Sequence, residues 1–106
     1  MGKAPKLKVL DVADVPLREV SGLAMRGDSL LAVGDHDPVV FTAALHDWPL
    51  QWQGTDLAGL DLPEGGVQFE ALEPAGEHAV LVLQEQPARV LHIDLVTPAL
   101  VGTLHL

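Results

Sequence analysis

Apolar residues come in short Val- and Leu-rich runs along this chain, each bounded by Gly, Asp or Pro. Runs of that length between turn residues read as strands, because an amphipathic helix needs a longer window free of breakers. Ten glycines and eight prolines leave few such windows. In order, the runs predict strands at 7–12, 20–25, 30–33, 39–45 and 50–57, the last centred on Trp52. A second set follows at 69–72, 78–83, 89–95 and 100–106. Turns are expected at Asp14-Val15-Pro16, Arg26-Gly27-Asp28, 34–38, His46 to Pro49, Pro74-Ala75-Gly76, 84–87 and Thr97-Pro98. Many short strands at regular spacing define an all-β chain.

The two sets follow one plan. Aligned without a gap at an offset of 49, Leu23 falls on Leu72, Gly27 on Gly76 and Val33 on Val82. Pro38 likewise falls on Pro87, Pro49 on Pro98 and Leu57 on Leu106. Turn residues meet turn residues, and apolar runs meet apolar runs. A four-strand unit of about 40–50 residues has the size of a β-propeller blade. The expected fold is β-propeller-like: two four-stranded antiparallel blades at 18–57 and 67–106, plus a leading strand at 7–12. Residues 58–67, with Pro63 and Gly65-Gly66, link them. A compact β-sandwich or barrel is the alternative.

Composition narrows the function more than the fold. The 106 residues suffice for one small domain. Fifteen acidic against six basic residues give a net charge of −9. Between Gly27 and Ala88 there is no Lys or Arg but there are eleven Asp or Glu. That field disfavours nucleic acid and suits cations or a basic partner. The absence of cysteine excludes disulfides, thiolate metal sites and cysteine nucleophiles. No apolar stretch of signal-peptide or membrane-span length is visible, so a cytoplasmic protein without membrane contact is the expectation.

Two segments carry a family resemblance. Val20-Ser21-Gly22-Leu23-Ala24, followed after a turn by Leu30-Leu31-Ala32-Val33-Gly34-Asp35, resembles the blade opening of the SdiA-regulated and phytase-like (esterase-like) β-propellers. Phe69-Glu70-Ala71-Leu72 with the stretch 79–85 is similar to another blade of that group, with Pro87 and 90–94 continuing into its third strand. Ala71 stands where the family commonly has glycine. The resemblance implies a central channel in which acidic residues at the start of first strands and the ends of second strands hold a cation or a substrate. Carried over by position, these are Glu70, Asp35 and Glu85, with Asp37 in the same loop as Asp35.

The residues themselves point the same way. Asp35-His36-Asp37 sets two carboxylates one residue apart, a source of oxygen ligands for Ca2+ or, equally, a polar turn before Pro38. Glu70 lies inside an apolar strand, where alternation turns it away from Phe69 towards solvent or a channel. Asp35, Asp37, Glu70 and Glu85 are therefore the candidate metal ligands, with Ca2+ the candidate cofactor. No histidine pair has helical zinc spacing, and neither Ser21 nor Ser29 sits in a nucleophile elbow. A binding or assembly module is the first expectation. A phytase-like or esterase-like hydrolase acting through an acidic channel is the alternative. Two blades leave flat faces uncovered, so the expected partners are further copies of the chain or the remaining blades of a propeller.

Overall fold

The computed structural model describes residues 14–17, 19–60, 62 and 67–106. Eight strands follow one another: β1 (Val20–Arg26), β2 (Ser29–Gly34), β3 (Val39–Ala44), β4 (Gln53–Asp56), β5 (Phe69–Ala75), β6 (Ala79–Gln84), β7 (Arg89–Asp94) and β8 (Ala99–His105). They form two four-stranded antiparallel sheets, each with its strands side by side in chain order. The chain is thus all-β, and no helix occurs among the described residues. None is therefore long and apolar enough to cross a membrane. The leading strand expected at 7–12 lies outside the described residues.

Strand positions match the apolar runs, with three corrections. β5 continues through Pro74 and Ala75, so the turn falls at Gly76, whose φ of +77° suits a residue without Cβ. β4 is confined to four residues, which leaves Trp52 before the strand with its indole Nε1 donating to the Asp14 carbonyl at 2.9 Å. The gapless offset also fails in the middle strands. Leu23 pairs with Ala32 and Leu72 with Val82, so an offset of 49 between β1 and β5 becomes 50 between β2 and β6. One extra residue in the β5–β6 turn causes the shift. It sets Val33 against Leu83 and Asp35 against Glu85.

Both sheets carry a bulge at the same point. Register shifts between Val20 and Gly22 in the first sheet and between Phe69 and Ala71 in the second. A bulge places an extra residue on one strand and breaks strict alternation. Phe69 and Leu72 are accordingly buried while Glu70 and Ala71 between them are exposed.

The sheets stack face to face on a single apolar core. Residues paired across an antiparallel ladder share a face. The first sheet contributes Leu31, Val33 and Val40, and the second Leu72, Val80, Val82, Leu91 and Ile93. Leu57, Val67 and Phe69 close one end. The inner strands β1 and β5 come closest at Gly22, where a Cβ would lie 3.3 Å from the Ala71 Cα and 3.0 Å from Val33 Cγ2. Two polar links cross the same seam: the Ser21 hydroxyl donates to the Phe69 carbonyl and the Arg26 guanidinium to the Ala79 carbonyl. Buried Gln84 is satisfied by donating to the Val67 carbonyl at 2.8 Å and accepting from Arg89 Nε at 2.6 Å.

Each sheet keeps one face out of this core. On the first it carries Leu23, Met25, Leu30 and Phe41, with Leu17 over its Gly34 end. On the second it carries Leu81, Leu83, Val90 and Leu104.

Candidate functional site

Strand direction brings the starts of β1 and β5 and the ends of β2 and β6 to one end of the molecule. A ladder of backbone hydrogen bonds ties them together. The Asp35 N–H donates to the Glu19 carbonyl at 3.2 Å, Gln68 N–H to the Asp35 carbonyl at 2.8 Å, and Glu85 N–H to the Gln68 carbonyl at 3.0 Å. The middle bond crosses from one sheet to the other. Gln68 is also the one non-glycine residue with positive φ among those described, at +54°. This left-handed turn lets it serve both neighbours at once.

That frame surrounds an open depression lined by Glu19, Ser21, Asp35, Phe69, Glu70 and Glu85. Four of the six are carboxylates, and no Lys or Arg lines it among the described residues. Glu70 responds to the crowding. The Glu85 charge, partial desolvation, a side-chain hydrogen bond with Glu85 and the Asp35 charge together raise its carboxyl above the ordinary value of 4.5. At the rim, Glu19, Asp35 and His36 hold ligand atoms within 4.8 Å of one another. His36 Nε2 stands 3.3 Å from Glu19 Oε2 in a solvent-exposed pair.

Three of the four sequence-derived ligands, Asp35, Glu70 and Glu85, therefore meet in one place. Asp37 does not join them. It borders a separate concavity with Pro16, Pro38, Val39, Phe41, Gly54 and Asp56. Glu19 is the residue the sequence reading missed. Its signal was the spacing: Glu19 precedes β1 as Gln68 precedes β5, and both carbonyls accept the bond at the end of the second strand.

Oxygen ligands of this kind, on several short backbone segments, suit a hard cation, which takes carboxylates and carbonyls in flexible geometry. Ser21 is not placed as a nucleophile, since its hydroxyl is committed to the Phe69 carbonyl. Compared with known proteins, the chain matches no protein-family model, no curated protein and no solved structure.

Proposed function

We infer that this chain is a β-propeller-type binding module of two blade-like units that holds a divalent cation, Ca2+, at the acidic end of its inner strands. The observation that carries the reading is the convergence of Glu19, Asp35, Glu70 and Glu85 from both sheets on one depression. Four like charges side by side repel, and a bound dication neutralises them. Support for two copies of one unit comes from the matched bulges, the shared strand order and the equivalent backbone bonds at Asp35 and Glu85. The resemblance of 20–24 and 69–72 to SdiA-regulated and phytase-like propeller blades points to the same architecture.

A site this open belongs at the weak end of protein calcium affinities, about 10⁻⁴–10⁻³ M. Thermal unfolding with and without Ca2+ tests it. At about a hundredfold excess over the dissociation constant, a specific ligand adds about 2.7 kcal/mol, which raises the midpoint of a domain this size by about 10–20 °C. The rise is expected to disappear in Asp35→Asn and Glu85→Gln and to persist in Asp37→Asn. An equal response in all three variants, or none in the wild type, would remove the cation site.

A further inference from the structure

The two sheets stack front to back, and their register says what fits the faces left over. Advancing 49 positions from β1 and 50 from β2 and β3 carries the first sheet onto the second. On that correspondence Leu23, Leu30 and Phe41 of one outer face match the covered Leu72, Val80 and Leu91. In the same way, Leu81, Leu83 and Val90 of the other outer face match the covered Leu31, Val33 and Val40. Each free face is the counterpart of a face that already has its partner within the chain. The two free faces are therefore complements of each other, not of themselves.

The geometry points to a second copy of this chain as the occupant, with the Leu81 face of one copy stacked on the Leu23 face of the next. The contact continues the in-chain interface across copies, and it rests on reading the two sheets as copies of one stacking unit. Exposure is concentrated at Leu23 (57%) and Met25 (49%) on one face and Leu104 (61%) on the other, with Leu30, Phe41, Leu83 and Val90 half-buried beside them and Ala32 and Ala43 buried. Apolar side chains gathered on both outer faces mark surfaces that association covers. On the same correspondence Glu73 and His92 take the places of Ala24 and Thr42, while Ala75 and Ala79 take those of Arg26 and Ser29, so the contact carries its polar groups at different positions and has no equivalent of the Arg26 link. Because the two surfaces differ, the interface is head-to-tail, which closes into rings or runs on as open chains. Two, three or four copies would give four, six or eight sheets, within the range of about 4–8 blades that radial arrangements use.

The test is the mass of the full chain in solution, by sedimentation and light scattering over a range of concentrations. The wild type is expected to give a discrete multiple of the monomer, or a concentration-dependent ladder. Met25→Glu and Leu81→Glu, one on each face, are each expected to reduce it to monomer. Mixed together they should form a one-to-one dimer, since each retains the face the other lacks. Should either variant lose its β-sheet circular dichroism, Leu23→Glu or Leu104→Glu replaces it on the same face. A wild type that stays monomeric at the highest concentration overturns the proposal. So does an assembly that only one of the two variants disrupts, because that is a self-complementary interface. Denaturant unfolding keeps this failure apart from failure of the two-unit reading. Val33→Ala and Val82→Ala should weaken a single cooperative transition alike if the in-chain stack stands, whatever the mass.

Discussion

Ser21 and Glu70 occupy the same bulge in the two sheets, and the site follows from the difference between them. The serine is short and neutral, and its hydroxyl joins the sheets through the Phe69 carbonyl. The glutamate is charged and faces Glu85 and Asp35. Its carboxyl is raised in the folded chain, so the folded state binds the proton more tightly than the unfolded one. The stability tied to that proton is complete below about pH 4.5 and is lost as pH rises through the raised value. Glu70→Gln, with no charge to repel, is expected to unfold at a higher temperature than wild type at pH 7 without calcium. The two should converge towards pH 4, and a melting series over pH checks both. Gly34 makes a second prediction at this scale. A Cβ there would lie 2.6 Å from the Glu19 carbonyl oxygen, a backbone atom that cannot swing aside. Gly34→Ala is expected to cost about 1–3 kcal/mol in urea unfolding and to weaken Ca2+ binding, because it displaces the Glu19–Asp35 clip.

Among single residues, Asp35 and Glu85 stand where apolar runs stop and Glu70 interrupts one, and it is the resemblance to propeller blades that groups the three. Asp37 was not distinguishable from Asp35 in the sequence, yet two residues further along the same loop it borders another concavity. Glu19 was hidden because nothing local marks a carboxylate just ahead of a strand. Only the comparison with Gln68 reveals it.

At the level of elements, the predicted strands overlap all eight described ones. Burial of their apolar side chains explains β2, β3, β5, β6 and β7, whereas β4 is the polar Gln53–Asp56 and β8 is exposed throughout. Strand length was less legible. Pro74 reads as a turn residue yet lies within β5 opposite Val80, in an edge strand that pairs on one side only and so tolerates a residue without an N–H. The extra residue after Gly76 escaped a gapless alignment, although Asp35 and Glu85 are already legible as the ends of the second strands. How the sheets hold together was also out of reach. Arg26 closes a turn in the sequence, but its guanidinium reaches the Ala79 carbonyl and its Nε is buried without a partner. Arg26→Ala removes a charge-assisted link at the end of the stack remote from the acidic site. A loss of about 1–2 kcal/mol in urea unfolding is expected, with Ca2+ affinity unchanged. An unchanged unfolding midpoint would show that the link contributes nothing.

For the whole molecule, the two sheets share one core, with an acidic end and two outer faces that carry apolar side chains. The acidic end draws carboxylates from both sheets, so the proposed cation would also tie the sheets together. A cluster assembled from residues 19, 35, 70 and 85 cannot be seen as a motif in the chain. It exists only after the second sheet has stacked on the first. The same stacking decides which faces remain open, and neither consequence can be read from periodicity alone. The most direct measurement is a Ca2+ titration of the isotope-labelled chain, followed by the backbone amide resonances. Saturable shifts are expected at Glu19, Ser21, Asp35, Gln68, Glu70 and Glu85 from both sheets together, while the amides of Asp47, Asp56 and Glu77 stay still. Shifts that never saturate, or that spread evenly over all the acidic residues, would contradict the account and leave those carboxylates as surface charge.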